Sequence, residues 1–472
     1  MEYLWLTLML GGSLGILSIF LLILLSNLLT FRRLHATNSI TRVNTTPSAP
    51  HRQSSWRLSG ASARSDKAER PLWLSLVACL SIPLSQRLAP IVENRQGKQG
   101  TDDNHKGRSA LSPRGRDAMN FDDAVPLISI LVPARNEEAN IEACIHSLLA
   151  QKYEPLEVLV LDDQSSDNTA AIVQRLIDEL PATPKNCLRL LHGGELPAGW
   201  IGKNFACYQL AQQAQGEYLL FTDADTLHTS EMIPTILDYM KRQQIQLLTG
   251  QPEQLLGSIG ERLIVPLLNF KILTLLPIAL IRRRPEPSLA TGNGQLLCFQ
   301  RAAYEKMGGH MAVKGRILED VLLARKMKAT GYQIDFIDAL ELVRCRMYHS
   351  WHEVWAGFSK NLFAFYNYSL PFALLALILN CILFILPALI LPISLIISIP
   401  QHIVLYALAS YTLGVTMRIL LTLRFTRTRR ELMLLYSFLH PISILLECLI
   451  LLNAIRWHYR KRGATWKGRQ YS

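Results

Sequence analysis

Tyr218-Leu219-Leu220-Phe221-Thr222-Asp223-Ala224-Asp225-Thr226 is an apolar strand that runs straight into two carboxylates one residue apart. Where a buried strand ends, such a pair reaches a divalent cation together and leaves open coordination positions to phosphate oxygens and water. A nucleotide-sugar site needs that arrangement, but a solvated turn also uses Asp-x-Asp, so the neighbouring segments decide. Leu156 to Leu161 is a second apolar strand, ending in Asp162-Asp163-Gln164-Ser165-Ser166-Asp167-Asn168-Thr169. Leu127 to Val132 is a first, ending in Pro133-Ala134-Arg135-Asn136-Glu137-Glu138. Three strands that each deliver polar groups at the carboxyl end predict a parallel sheet with a ligand crevice along that edge.

Outward from this core, apolar residues recur at helical spacing in Asn140 to Gln151 and again in Asn168 to Leu180. Strand and helix alternate over residues 126–350, which predicts a doubly wound α/β catalytic domain.

On either side the chain reads as membrane. Leu4 to Phe31 is apolar and uncharged, long enough to cross a bilayer, and Arg32-Arg33 come directly after it. It is too long for the apolar region of a cleaved signal peptide and has no basic stretch before it. Residues 1–33 are therefore expected to be a transmembrane anchor that leaves the next segment in the cytoplasm. Residues 34–125 fill with Ser, Arg, Asn, Gln and Gly and are expected to be a mostly disordered basic linker. Within it, Pro71 to Pro83 either dips into the membrane surface or docks on the catalytic domain. Leu256 to Ile281 reads equally as a buried helix or as an interfacial segment ending in Arg282-Arg283-Arg284. Residues 351–368 place Trp351, Val354, Trp355, Phe358, Leu362 and Phe365 on one face, with Glu353 and Lys360 pointing elsewhere, and are expected to form an interfacial amphipathic helix.

Residues 369–472 are expected to be a C-terminal membrane region with a basic tail. Its apolar stretches are Leu370 to Ile399, His402 to Leu423 and Leu432 to Ile455. Three full crossings would put the basic loop Arg424 to Arg430 and the tail Arg456 to Arg469 on opposite sides, against the positive-inside tendency. A re-entrant third element bent at His440-Pro441 keeps both cytoplasmic and accommodates Glu447, which is costly in lipid unless paired or near water.

Formal net charge is +12 with a pI near 9.3. The basic residues crowd beside apolar segments, which fits anionic lipid, and no recognition helix, zinc spacing or base-stacking module points to nucleic acid. The eight cysteines form no Cys-x-x-Cys pair and read as free thiols in a reducing compartment.

The ordered set Val-Pro-Ala-Arg-Asn-Glu-Glu, Asp-Asp-x-Ser-x-Asp-x-Thr, Gly-Trp-x-Gly-Lys, Asp-Ala-Asp, Gly-x-Gly and Glu-Asp over about residues 127–350 resembles the family 2 glycosyltransferases with a GT-A fold. Arg346-Met347-Tyr348, Trp355-Ala356-Gly357-Phe358-Ser359-Lys360-Asn361 and Trp466-Lys467-Gly468-Arg469 look most like its membrane-bound carotenoid and hopanoid-associated branch, which includes chlorobactene- and myxol-type glucosyltransferases. No Gln-x-x-Arg-Trp motif, usual in processive polysaccharide synthases, stands after Glu319-Asp320.

The resemblance implies an α/β GT-A domain with N-terminal and C-terminal transmembrane helices. Ala134, Arg135 and Glu137 would lie along the nucleotide, and one of Asp162 and Asp163 would hydrogen-bond the base, an imide N–H of uracil suiting a carboxylate. Asp223 would face the ribose or metal. Asp225, with His349 as a further candidate ligand, would bind Mg²⁺ or Mn²⁺, and Lys203 would add positive charge at the leaving diphosphate. Asp320 would be the general base, with Glu319 beside it; either acid could instead cap the helix that starts there. Gly292, Asn293, Gly294 and Gln295 would permit close approach to sugar or acceptor, or form a structural turn.

The expected activity is inverting transfer of a single hexose from a nucleotide-diphosphate sugar, UDP-glucose foremost, to a hydroxyl of a hydroxylated carotenoid. Other acceptors consistent with the sequence are a hopanoid, a polyprenyl phosphate or a glycerolipid. A non-catalytic scaffold or transporter with a degenerate domain is the reading from another class.

Overall fold

The computed structural model describes residues 3–35, 125–180 and 186–460, with short pieces at 465–466 and 469–470. The expected linker, including Pro71 to Pro83, lies outside the described residues except at its two ends, as does most of the basic tail.

The α/β domain is built on strands β1 (Ile128–Ala134), β2 (Leu156–Asp162), β3 (Asn186–His192), β4 (Tyr218–Phe221), β6 (Leu247–Gln251), β8 (Leu297–Gln300) and β9 (Ile334–Asp338), in the order β3-β2-β1-β4-β8-β6-β9. A small second sheet joins β5 (Thr226–His228), β10 (Val343–Cys345) and β7 (Glu253–Gln254). The large sheet is mixed rather than parallel as expected, since β8 runs antiparallel to both β4 and β6. The loop before β8 explains the direction. The Asn293 amide is held by Thr249 Oγ1 of β6 at 3.0 Å, so the chain starts β8 at the crevice edge and has to run away from it.

Every residue of β1 and β2 is buried, and their side chains alternate between two cores. Ile128, Ile130 and Val132 face the helices Ile141–Leu149 and Thr169–Glu179. On the other face, Leu131, Leu159 and Leu161 share one apolar cluster with Ala206 and Leu210 of the Gly202–Gln213 helix, with Leu263 to Ile281, and with residues of the long apolar helices. The core of the sheet is thus continuous with the long apolar helices on that side.

Among the described residues, four helices are long and apolar enough to cross a membrane: Leu4–Thr30, Leu370–Ile393, Gln401–Phe425 and His440–Tyr459. The first is docked, not merely tethered. Asn27 is fully buried, donating to Leu273 O at 2.8 Å and Leu276 O at 2.7 Å and accepting from the Ile278 amide at 2.8 Å. Phe31 stacks on Phe336 with centroids 5.5 Å apart. Asp338, at the end of β9, takes Arg33 at 2.8 Å and Arg424 at 2.6 Å, which fixes the carboxyl ends of two long helices beside the same strand.

The third C-terminal stretch does break at His440-Pro441, into Arg430–Phe438 and His440–Tyr459. His440 packs on Phe384 and Phe270, inside the helical bundle, while His458 stacks on Tyr368 just before the second long helix begins. Arg427 pairs with Glu341, so both ends of the broken element lie toward the α/β domain. The break falls where the re-entrant reading places its bend, and His440–Tyr459 is by itself long and apolar enough to cross a membrane.

Glu447 is buried and paired with Lys271. Lys271 lies in Pro266–Leu275, the middle helix of the segment Leu256 to Ile281, which is wedged between sheet and bundle. A charge left without its partner here stays out of water, so Glu447→Leu should destabilise by about 3–5 kcal/mol. Half-inactivation temperature in detergent reads this, and Lys271→Leu with Glu447→Leu should recover most of the loss.

Candidate active site

The parallel register sets Ala134 opposite Asp162, so the turns after β1 and β2 open side by side, with the Asp223 turn after β4 next to them. Asp225 precedes β5, whose Thr226 pairs with Cys345 of β10, while Cys345 pairs with Gln254 of β7 on its other side. The small sheet therefore forms one wall of the crevice.

At the centre is a charge chain. Lys203 Nζ lies 2.6 Å from Asp223 Oδ1 and 3.3 Å from Glu319 Oε1. Burial acts to lower the Lys203 pKa, but Asp223 and then Glu319 outweigh it and hold the ammonium charged, well above its usual range. Asn204, the next residue, donates to Val313 O and Arg316 O, both at 2.9 Å, and so clamps the start of the Gly202–Gln213 helix to the segment leading into Glu319.

Asp320 divides from Glu319 in direction. Its Oδ2 accepts from the Gly294 amide at 3.1 Å and its Oδ1 from the Val321 amide at 2.8 Å, at the start of the Glu319–Ala329 helix. Desolvation, with the charge of Glu319 second, pushes its pKa up to about 7 against the opposing pull of Lys203 and the two amides. A carboxylate tuned to that range suits proton abstraction at neutral pH. Gly292 allows the close approach, because a Cβ there would collide with the Asp320 carbonyl oxygen. Asn293 holds Thr249 and Gln251, and Gly294 lies against Lys203 and Asp223. Gln295 is buried, bonded to Gln254 at 2.9 Å and Cys345 at 2.8 Å, so its amide ties the turn to the small sheet.

Asp225 is the group that fits a cation. Its Oδ1 is buried with no hydrogen-bond partner. Desolvation, then the charges of Asp223 and Glu137, raises its pKa to about 7, and a bound cation would relieve all three. Among the described residues no three His, Cys, Asp or Glu side chains gather as a metal-holding group. Asp223 and Asp225 could supply protein ligands, with phosphate oxygens and water completing the shell. His349 is exposed, its amide held by Glu353 at 2.8 Å.

At the ends of β1 and β2, Arg135 reaches the backbone carbonyls of Asp163 and Gln164, and the Asp163 amide donates to Ala134 O at 2.8 Å. Asp162 and Asp163 are both buried. Asp162 Oδ2 accepts from the Ser165 amide at 3.3 Å while its Oδ1 has no partner, and Asp163 Oδ1 faces the backbone at Gly193. Glu137 accepts from Asn140 at 3.1 Å and lies within electrostatic reach of Asp225.

Two contributors, Lys360 and Tyr348, had no site role assigned from the sequence. The Trp351–Phe365 helix, expected to be interfacial, also borders the site. Lys360 comes within electrostatic reach of Glu319, Lys203 and Asp223, and desolvation lowers its pKa. Tyr348 lies across Gly357, where a Cβ would collide with its hydroxyl, and is within reach of Asp225. The signals available were the family-like segments that contain Tyr348 and Lys360 and, for Lys360, a polar residue off the apolar face.

Residues 129–276 match the family model described as Glycosyl transferase family 2. Over 404 residues, 85% of this chain and 98% of the relative, the sequence is 24% identical to 4,4'-diaponeurosporenoate glycosyltransferase of Staphylococcus aureus strain N315. The same identity and coverage hold for the protein of that name from strain USA300. Among solved structures, the chain is similar to mannosyltransferase PcManGT from Pyrobaculum calidifontis in complex with GDP-Man and Mn²⁺, with 17% identity, 80% of this chain and 98% of that chain covered, and a TM-score of 0.45. It is also similar to S. aureus TarS 1-349 in complex with UDP-GlcNAc, with 15% identity, 72% and 93% covered, and a TM-score of 0.34.

Proposed function

We propose that this glycosyltransferase, whose residues 129–276 match the family 2 model, moves a single hexose from UDP-glucose to a hydroxyl of a membrane lipid, a hydroxylated carotenoid foremost. One observation carries the reading: Asp320 stands beside the Lys203, Asp223 and Glu319 chain, in a domain whose core runs on into apolar helices. A lipid held among those helices can present its polar end to the crevice while its body stays in lipid. The relative's printed name is that of a carotenoid glycosyltransferase and supports a carotenoid acceptor, although the name denotes a carboxylate rather than a hydroxyl.

In the reaction Asp320 takes the acceptor hydroxyl proton as that oxygen attacks the anomeric carbon. The bond from that carbon to the diphosphate breaks, and UDP leaves with the electron pair. Attack from the opposite face inverts the anomeric centre. Lys203 offsets negative charge growing on the diphosphate. Asp225 and Asp223 would hold Mg²⁺ or Mn²⁺, whose chemistry when bound is Lewis-acid neutralisation of the same diphosphate. Arg135, Glu137 and the Asp162-Asp163 pair would position the nucleotide. The basic ends Arg32-Arg33 and Arg424 to Arg430, gathered on the catalytic side, support a cytoplasmic catalytic domain.

The test is transfer of labelled sugar from a panel of UDP- and GDP-sugars into organic extracts of membranes containing the full chain, hydroxylated carotenoids and Mg²⁺ or Mn²⁺. Label on a carotenoid from UDP-glucose is the expected result. Label only in a colourless lipid, or only from another donor, would reject the acceptor or the donor respectively.

A further inference from the structure

A second polar cavity lies away from the crevice, where the first long helix meets the sheet. It measures about 540 Å³, and its walls include Thr30, Arg32, Arg282, Arg283, Asp335 and Phe336. Gln333, which also lines it, directly precedes β9, and Asp335 lies in the first half of that strand. Strand directions put that half at the amino-terminal edge of the sheet, opposite the crevice. Donor phosphates are therefore not its ligand.

The wall is positively charged and only partly compensated. Arg32 and Arg282 both donate to Gln243 Oε1, at 3.2 and 2.9 Å, so two guanidinium groups converge on one neutral oxygen. Like charges that close repel, and a neutral amide does not cancel them. Asp335, the single carboxylate of the wall, is 3.8 Å from Arg282 and accepts from the Tyr239 hydroxyl at 2.7 Å. Arg283 adds a third guanidinium, exposed and without a side-chain partner among the described residues. Three cations against one carboxylate leave a cradle for a multivalent oxyanion.

Depth and surface character select among oxyanions. Thr30 is the last residue of the first long helix, so the cavity sits at the level where a bilayer places its headgroups. Ile278, Ala279 and Phe336 complete its lining with apolar surface beside the arginines. Guanidinium forks match phosphate oxygens in geometry, and anionic lipids concentrate phosphate at this depth. We infer that this cavity binds the phosphate of an anionic lipid headgroup and so pins the far edge of the sheet to the membrane.

The full chain, reconstituted with phosphatidylglycerol or phosphatidylcholine and carried through detergent exchange, should retain phosphatidylglycerol selectively by native mass spectrometry. Arg32→Gln, Arg282→Gln and Arg283→Gln combined should lower that retention at least about tenfold. Sugar transfer in detergent should persist, which reports a folded protein. Asp335→Asn removes the opposing charge and should bind phosphatidylglycerol more tightly, a change of sign that mere structural damage does not produce. Equal retention by wild type and the triple variant would overturn the inference. Retention of phosphatidylglycerol no greater than that of phosphatidylcholine, with inorganic phosphate bound by the lipid-free protein, would overturn its lipid source and assign the cavity to a soluble phosphate compound.

Discussion

Asp320→Asn should cut transfer to a hydroxyl acceptor by about a thousandfold while leaving UDP-sugar affinity nearly unchanged. Asn keeps the shape and still offers an oxygen to the Gly294 or Val321 amide, so the turn and the start of the helix stay in place. What it loses is the capacity to accept a proton. The pH profile makes the test specific. Burial raises the Asp320 pKa to about 7, so the group is protonated, and useless as a base, below that value. Wild-type kcat/KM should therefore fall as pH drops through about 7, and the residual activity of the variant should lack that limb. An acceptor carboxylate would change the outcome, since it is already a nucleophile at neutral pH and has no proton to give. Near-normal transfer by Asp320→Asn to a carboxylate acceptor, with loss on a hydroxyl, would define the acceptor group; full activity on both would place the base elsewhere.

The site was legible wherever chemistry and sequence position coincide. Ala134, Asp162 and Asp223 stand at the ends of apolar strands, and neighbouring strands in register bring their turns together. The direction of β8 was not legible, because it depends on where the Thr291 to Gln295 turn attaches, through the Asn293 amide to Thr249. Nor was the docking of the first helix. Its apolar run says only that it can cross a membrane, whereas one buried amide, Asn27, fastens it to three backbone groups of Leu273 to Ile278. The cost of Glu447 was readable, but its partner Lys271 was not, since nothing local marks a lysine as buried opposite a distant acid. Lys360 illustrates the same limit, because helical periodicity names the apolar face and is silent about what the other face meets.

Asp225→Ala should abolish metal-dependent transfer, a loss of several kcal/mol in transition-state stabilisation and about a thousandfold or more in rate. The two acids of the Asp223-Ala224-Asp225 run are not equivalent. Asp223 is already matched by Lys203 at 2.6 Å, whereas Asp225 keeps a buried oxygen with no partner. A buried polar atom left unsatisfied costs free energy that only a ligand can return. Removing it should therefore damage function without damaging the fold: in metal-free buffer Asp225→Ala should melt no lower than wild type. Added Mn²⁺ should raise the melting temperature of wild type and leave the variant unmoved, since a ligand that binds only the native state stabilises it by mass action. Asp223→Ala should behave differently, leaving Lys203 with Glu319 as its remaining acidic partner and lowering stability as well as rate. An Asp225→Ala protein that melts well below wild type, or that still gains stability from Mn²⁺, would show that this carboxylate holds the turn rather than the cation.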